Sequence, residues 1–364
     1  MRKILAATTV LMAVSTIATT AHAADPGTLS YLSKHTTLGM KIFADMSYIK
    51  HSSDGTNVNP TGYGFDVKRG YLVLKTAFNE QWSMAFQTDF NYDSTIGNTN
   101  VYMKNLYAQR SFNDGVKLQI GLANMPWIPH MEDLYRYRYV ENVLIDGNHF
   151  GNSADWGLHL LGDEGKVNWQ VSLVSGGGYH HPGRSKGMEL AGRLDYNAFG
   201  GLHLLVGGTT GKNGKGTEQN PANHTASRYD LAAVYEQKNW NLGLDYFYAK
   251  DWNNVTTTYG TAADGYSVFA SYDFTPVWGV FARYDNVKPC KDLSAATSAT
   301  CYSDTKSNYY NLGLQYKASK QITFALVYKY DKVENGSIST TNGTIGGTNS
   351  GKYQEIGLFM QAAF

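Results

Sequence analysis

A period of two runs through this chain, and it is clearest in the last twelve residues. In residues 353–364, every second side chain from Ile356 to Phe364 is apolar, while the opposite face carries Glu355 and Gln361. Successive side chains of an extended strand point to opposite sides, so this pattern predicts a strand with one wholly apolar face. The same pattern recurs upstream, where aromatic residues bracket the ends of the apolar face.

Sixteen segments show this alternation, and the links between them are alternately short and long. The predicted strands are residues 37–51, 65–78, 81–93, 101–112, 116–123, 154–161, 166–176, 188–196, 201–210, 226–236, 240–251, 265–274, 277–287, 308–317, 321–331 and 353–364. The longer links are residues 53–64, 94–100, 124–153, 177–187, 211–225, 252–264, 288–307 and 332–352. Short turns at one end and long loops at the other are typical of an outer-membrane barrel.

The composition agrees with a barrel and argues against membrane-spanning helices. After the N-terminus, no apolar run approaches the ~18 residues that a transmembrane helix requires. Aromatic residues make up 13% of the chain and glycines number 38. A secreted sandwich or solenoid shares this composition, but neither explains the strict alternation of turns and loops. The sequence therefore predicts an all-β fold, a 16-stranded antiparallel transmembrane β-barrel.

The N-terminus predicts export. Arg2 and Lys3 precede a short apolar run, and Ala21 and Ala23 supply the small residues that a signal peptidase reads. We expect residues 1–23 to be a signal peptide and residues 24–364 to form one barrel domain. The terminal Phe364 resembles the C-terminal signature of bacterial outer-membrane proteins. The predicted destination is the bacterial outer membrane, reached through the periplasm, with membrane lipid and lipopolysaccharide as surroundings.

Residues 124–153, here called the aromatic segment, interrupt the alternation. Sixteen-stranded barrels enclose an aqueous channel, so we expect this third long loop to fold into the lumen and narrow it. An ordinary surface loop with a salt-bridge cluster is the alternative. Its aromatic side chains are candidates for pinning it to the inner wall: Trp127, Tyr135, Tyr137, Tyr139 and Phe150. Its charged side chains are candidate ion-guiding groups at the constriction: Arg136, Arg138, Glu132, Asp133, Glu141 and Asp146.

Three further motifs give weaker indications of function. Cys290 and Cys301 both lie in the predicted loop 288–307, and an oxidising compartment favours a disulfide between them, with two free thiols as the alternative. The adjacent His180 and His181 lack the spacing of a metal site. The glycine-rich run GKNGKG (211–216) lacks phosphate-loop spacing. No cofactor, metal or catalytic constellation is predicted.

Three motifs of the chain are similar to those of the phosphate-selective porins O and P and related outer-membrane porins. They are FDVKRGYL (65–72), GLANMPW (121–127) and SADWG (153–157). The resemblance implies a trimeric, sixteen-stranded porin whose third loop forms the constriction and whose lumen bases guide anions, phosphate in particular. By position it implies that role for Arg69, Arg136 and Arg138.

The charges on the predicted inner face do not favour anions. Alternation places these bases inward: Lys41, Arg69, Lys75, Lys117, Arg193, Arg228, Arg283 and Lys329. It places more acids inward: Asp45, Asp89, Asp93, Asp155, Glu189, Asp195, Asp230, Asp245, Asp273, Asp285, Asp331 and Glu355. Rings of charge at the narrowest point matter more than such totals.

The function predicted from the sequence is a passive porin for small hydrophilic solutes and ions, with an anion or phosphate preference implied by the resemblance. The acid excess and the aromatic segment favour an alternative, a cation-preferring or sugar-passing porin. A barrel hydrolase or a surface adhesin remain as alternatives from other classes. Bases and acids nearly balance, at 31 and 30, so no nucleic-acid partner is expected.

Overall fold

The computed structural model describes residues 26–93, 98–112, 115–252, 255–256, 260–291 and 301–364. The predicted signal peptide, residues 1–23, lies outside this described part. Within it, the strands are β1 (Thr36–Ser53), β2 (Thr56–Asn57), β3 (Gly62–Ala77), β4 (Trp82–Asp93), β5 (Asn98–Ser111), β6 (Lys117–Asn124), β7 (Ala154–Glu164), β8 (Val167–Val174), β9 (Glu189–Asn197), β10 (Leu202–Gly211), β11 (Ala226–Glu236), β12 (Trp240–Lys250), β13 (Ala262–Asp273), β14 (Trp278–Lys288), β15 (Cys301–Lys317), β16 (Ile322–Thr340), β17 (Gly343–Gly346) and β18 (Ser350–Ala363).

Sixteen of these strands form a closed antiparallel barrel, which confirms the predicted fold class. Each barrel strand pairs with its neighbour in the chain, and β1 closes the cylinder by pairing with β18 from Lys41↔Ala363 to Ser53↔Gly351. The short strands β2 and β17 extend hairpins at the loop end. Closure matters because the backbone N–H and C=O groups at an open sheet edge would have no hydrogen-bond partners in hydrocarbon.

The two faces of the wall are inverted relative to a water-soluble protein. On β12, Leu242 and Leu244 are exposed, whereas Asn241 and Asp245 are buried. On β18, Ile356 is 52% exposed while Glu355 is 1% exposed. Exposed apolar side chains alternating with buried polar ones are expected only where hydrocarbon surrounds the outside of the barrel.

Three helices complete the described elements: α1 (Pro26–His35), α2 (Ile128–Tyr135) and α3 (Leu144–Gly147). Helix α1 lies at the barrel end that carries the short turns, where Tyr31 donates a hydrogen bond to the Ala77 carbonyl (2.9 Å). Among the described residues, no helix combines the length and apolar character needed to cross a membrane. Helices α2 and α3 both belong to the aromatic segment.

The hydrophobic core lies on the inner side of the wall, between the aromatic segment and the strands it contacts. It includes Trp127, Tyr135 and Phe150 from the segment and Phe247 and Phe281 from the wall. At its base the segment is closed by a hydrogen bond from the Met125 amide to the Ser153 carbonyl (3.0 Å). The polar interior expected from the strand pattern is therefore partly filled by an apolar layer.

The predicted disulfide is confirmed. Cys290 and Cys301 are bonded, with their Cα atoms 6.1 Å apart. Cys290 follows β14, and Cys301 is the first residue of β15. The bond ties the loop-end extensions of two neighbouring strands, which is where an oxidised pair stabilises a surface loop.

Candidate functional site

The aromatic segment is held against one side of the inner wall by its aromatic side chains. Tyr137 stacks on Phe281 with ring centroids 3.9 Å apart, and Tyr135 meets Phe269 edge-on at 5.3 Å. Trp127 lies against Gly207, where a Cβ atom would come within 2.6 Å of its ring. These contacts lie on strands β10, β13 and β14, so the segment covers that side of the barrel.

Polar side chains of the wall strands β9, β11, β12 and β14 fix the backbone of the segment. Arg193 donates to the Pro126 carbonyl (2.7 Å), and Asn241 donates to the Leu134 carbonyl (2.6 Å). Arg283 and Arg228 donate to segment carbonyls further along, at Asn142 and Phe150 (2.5 Å each). These bonds satisfy buried carbonyls in a segment with little secondary structure of its own.

Four wall acids that the charge pattern placed in the lumen are sealed beneath the segment. Asp230 pairs with Arg228 (2.8 Å) and is 0% exposed. Asp285 pairs with Arg283, and Asp245 is 2% exposed. Glu189 is also buried, at 2%. These four acids are withheld from water together with Arg228 and Arg283, the two bases that pair with Asp230 and Asp285.

On the opposite side, beside β1, β3 and β5, two neighbouring cavities lie between the segment and the wall. The first, of about 190 Å³, is lined by Lys68, Arg69, Arg138 and Glu141 among others. The second, of about 370 Å³ toward the turn end, is lined by Lys104, Glu132, Asp133, Arg136 and Arg138, with Tyr71 and Lys41. Arg138 borders both, so it lies at their junction.

Four bases meet around these cavities, and we call Lys68, Arg69, Lys104 and Arg138 the basic cluster. Lys68 and Arg69 pair with wall acids, Lys68 with Asp45 (3.4 Å) and Arg69 with Asp89 (3.0 Å). In both pairs the base is the exposed partner, with side-chain exposures of 25% against 2% and 21% against 0%. Each pair therefore offers its basic member to water, and the exposed Asp66 lines the same cavity.

Lys104 differs from the other members because it has no ion-pair partner in the described part of the chain, although Glu132 and Asp89 act on it electrostatically from a greater distance. Its ammonium lies 5.0 Å from the Tyr71 ring centroid and 5.9 Å from that of Tyr179. Within the described residues it makes neither an ion pair nor a hydrogen bond. Cation–π contacts hold an ammonium in place without cancelling its charge. Lys104 is only 7% exposed, but it lines the larger cavity with a charge that Glu132 and Asp89 offset in part.

Strand alternation missed Lys68 and Lys104, because both sit at β-bulges. The β1–β3 register passes from Phe43↔Arg69 to Ala44↔Val67, which leaves Lys68 as the extra residue. The β4–β5 register skips Lys104 in the same way. A bulge re-aims a side chain that strict alternation would send outward. The sequence sign of each bulge is a pair of adjacent polar residues, which are Lys68 with Arg69 and Lys104 with Asn105.

The predicted site residues of the aromatic segment are not all brought together. Arg136 caps helix α2 with a left-handed φ of 71° and donates to Glu236 of β11 (2.7 Å). Arg138 pairs with Glu132 (2.5 Å) and lies 3.8 Å from Asp146. The end of helix α2 turns the chain at Arg136, so the two arginines have different partners.

The other predicted site residues are likewise divided between contacts with the wall and the lining of the cavities. Tyr135 and Tyr137 are buried against the wall, and burial raises the pKa of Tyr137 to about 12. Asp133 borders the larger cavity, and partial burial together with nearby Glu132 raises its pKa. Arg69 lies where the sequence placed it, on the inner wall.

At the loop end lies a larger cavity of about 830 Å³, whose lining, among the described residues, shares none with that of the two inner cavities. Its described lining residues include Phe150, Tyr179, His180 and Trp252, and none of them is Asp, Glu, Lys or Arg. Burial, reinforced by the charge of Arg69, lowers the pKa of His180 to about 4. Within the described part of the chain, no group of three or more His, Cys, Asp or Glu could hold a metal ion.

Comparison with known proteins fixes the family. The model of the Gram-negative porins matches residues 146–348, more than half of the 364-residue chain. The chain belongs to the Gram-negative porin family. This porin is therefore a bacterial outer-membrane protein, as its inverted barrel wall indicates. The narrower resemblance to the phosphate-selective porins stays a prediction.

Solved structures share the fold of this porin at low sequence identity. An anion-selective porin from Comamonas acidovorans matches with a TM-score of 0.65 and 13% identity over 90% of this chain and 99% of that one. The trimer form of OmpT, an outer membrane protein of Vibrio cholerae, matches at 0.64 and 13% over 90% and 99%. The outer membrane channel DcaP of Acinetobacter baumannii matches at 0.63 and 13% over 90% and 97%. No curated protein sequence matches the chain.

Proposed function

We propose that the protein is a passive, anion-preferring diffusion porin whose conducting passage runs between the aromatic segment and the wall strands β1, β3 and β5. In this proposal the segment folds into the lumen, covers one side of it and leaves the other side open to water. The wall contacts of Tyr137 and Trp127 on one side, and the cavities on the other, support this arrangement.

Lys104 is the single observation that carries the anion preference. An ammonium that lines a cavity without an ion-pair partner in the described part of the chain attracts anions and repels cations, and the more distant Glu132 and Asp89 offset it only in part. Lys68 and Arg69 add to this field because they are more exposed than the acids that pair with them. Low-dielectric walls concentrate the field of such a cluster, so a few unbalanced charges govern selectivity.

The ion-guiding roles predicted for the segment are reassigned within this proposal. Arg138, at the junction of the cavities, belongs to the guiding cluster, with Glu132 as the acid that orients it. Arg136 serves chiefly as an anchor to Glu236. Tyr135 and Tyr137 fix the position of the segment and thereby set the aperture indirectly.

Small inorganic anions are the permeants that this passage favours. Phosphate is one of them, and the similarity of FDVKRGYL (65–72) to the phosphate-selective porins favours it further. A drop in chloride current on adding phosphate would support this part of the proposal. An unchanged chloride current at millimolar phosphate would rule out phosphate as a favoured permeant and would leave a general preference for anions.

A channel without covalent chemistry is also favoured over a barrel hydrolase. A serine–histidine hydrogen bond does occur, between Ser172 Oγ and His159 Nδ1 (2.9 Å). Both residues are 0% exposed, and Gln170 donates to the same hydroxyl (3.1 Å). A nucleophile must reach its substrate, so this pair is better explained as a structural contact.

We also propose that the porin is a homotrimer. On β3, Tyr63 and Phe65 are 91% and 86% exposed, well above the exposure of most outward apolar residues on the barrel. Strand β3 pairs with β4 only from Val73↔Gln87 to Ala77↔Ser83. Tyr63 and Phe65 therefore lie beyond the part of β3 that is hydrogen-bonded to β4. A second copy of the chain is a fitting cover for such a surface.

The substitution Lys104→Gln tests the selectivity proposal. It keeps the polarity and most of the length of the side chain and removes the charge, so the zero-current potential in a KCl gradient should shift toward cations. Lys288→Gln, at an exposed loop-end position of β14, is the matched control and should leave the potential unchanged. An unshifted potential in the Lys104 variant would refute its role.

A further inference from the structure

The end of the β16–β17 hairpin does not stand free at the loop end. Strand β16 continues to Thr340, well beyond the predicted end at residue 331, and pairs with β17 from Ser337↔Gly346 to Thr340↔Gly343. We call residues 337–346 the outer hairpin. Ile338 and Ile345 are 5% and 0% exposed and belong to the same core as the aromatic segment. Burial of this cross-strand pair turns the hairpin inward.

The tip of the outer hairpin contacts the aromatic segment directly. The Thr341 amide donates to the Gly147 carbonyl (3.0 Å). Asn342 donates from Nδ2 to Glu141 Oε2 (2.9 Å), and the Thr341 hydroxyl lies 3.3 Å from Glu141 Oε1. Hydrogen bonds to a carboxylate are stronger than those between neutral groups. Glu141 therefore docks the tip.

The same tip borders the passage. Thr341 and Asn342 line the cavity of about 190 Å³ together with Lys68, Arg69 and Arg138. An ion that approaches the basic cluster from the loop end passes beside these two side chains. The lumen is thus narrowed by two chain segments, which belong to different strand connections.

We propose that the outer hairpin is a second specificity element of this porin, with Thr341 and Asn342 limiting the size of solute that reaches the basic cluster. The inference rests on the proposed function, because it requires the cavities to conduct. Glu141 acts as a positioning residue that holds the tip over the passage. Small inorganic anions pass the tip, and bulkier hydrophilic anions are excluded by it.

Shortening the hairpin tests this inference. Replacing residues 338–345 with a Gly-Gly link should raise the single-channel conductance and admit larger polyethylene glycols in polymer-exclusion measurements. A control deletion of the exposed stretch 218–221 in another loop should change neither. A shortened porin that folds and conducts like the parent would overturn the inference. A parent without conductance would instead overturn the proposed function.

A cross-link keeps the inference testable if the shortened porin fails to fold. The pair Gly147→Cys and Thr341→Cys places two thiols where a backbone hydrogen bond already joins the residues. Oxidation should link them, and the conductance of this variant should be the same before and after linking, since the tip is already docked. Failure of the pair to cross-link, or a large drop in conductance on linking, would contradict a docked tip. The parent under the same redox treatment controls for Cys290–Cys301.

Discussion

Glu141 connects three parts of the molecule through one carboxylate. It pairs with Lys329 of β16 (3.3 Å), accepts from Asn342 of the outer hairpin, and belongs to the aromatic segment. Burial alone would raise its pKa, but the nearby ammonium groups of Lys329 and Lys68 outweigh that effect. The pKa of Glu141 is lowered from 4.5 to about 2.

A lowered carboxyl pKa predicts acid sensitivity. The stabilisation is fully present above about pH 4.5 and is lost as the pH falls toward 2. The thermal midpoint of the purified porin should therefore drop between pH 6 and pH 3, and Glu141→Gln should weaken that dependence. Glu164→Gln, at the exposed turn-end limit of β7, is the control. Identical pH dependence in parent and Glu141→Gln would contradict the assignment.

The side-chain details of the passage could be predicted only in part. Alternation placed Arg69, Asp89 and Glu355 correctly on the inner wall, since a regular strand fixes facing by position alone. It misplaced Lys68 and Lys104, because a bulge depends on pairing with the next strand and leaves a weak trace in one sequence. It also did not reveal which acids the aromatic segment would cover.

At the scale of elements, the aromatic segment depends on stacking rather than on its own secondary structure. Tyr137 packs on Phe281 and is 5% exposed. Truncating a buried aromatic residue to alanine costs roughly 3–5 kcal/mol in protein cores. We therefore expect Tyr137→Ala to free the middle of the segment while the hydrogen-bonded barrel stays intact.

Open-channel noise and sensitivity to voltage closure measure this effect. Both should rise in Tyr137→Ala, and the heat-induced shift of the folded barrel on gels should persist. Tyr235→Ala, an outward residue of β11 that is 39% exposed, is the matched control. A quiet channel with parental conductance in Tyr137→Ala would show that the stack does not hold the segment.

The strands themselves were largely predictable, and the loops were not. The segments at 226–236 and 240–251 match β11 and β12 to within a residue, because each apolar face is complete there. The extensions of β15 to Cys301 and of β16 to Thr340 were missed. They rise above the lipid band, where no apolar face is required, so the alternation that marks a strand fades. Helices α2 and α3 are too short to give a periodic signal.

At the scale of the whole molecule, the exposed residues of β3 predict assembly. Burying Tyr63 and Phe65 against a second copy removes apolar surface from contact with lipid headgroups and water. The double substitution Tyr63→Ser with Phe65→Ser should shift the cross-linked species in detergent from trimer to monomer. Leu312→Ser, 60% exposed on β15, controls for the loss of an outward apolar residue. An unaltered trimer, or a parent that is already monomeric, would contradict the proposed interface.

In the proposed function, the aromatic segment divides the charges of the lumen. Acids such as Asp230 and Asp245 are 0% and 2% exposed, while Arg69 and Lys104, itself 7% exposed, line the cavities on the other side. A barrel with more inward acids than bases can thus present a basic passage. This division, rather than the net charge, is the basis of the proposed selectivity.

The zero-current potential of the purified porin in a KCl gradient across a planar bilayer tests this division most directly. If the passage runs beside Lys104, the sign of the potential will correspond to chloride crossing more readily than potassium. High salt should weaken the preference by screening. A potential of the opposite sign would mean that the buried acids reach the water, and the charge division described for this lumen would be contradicted.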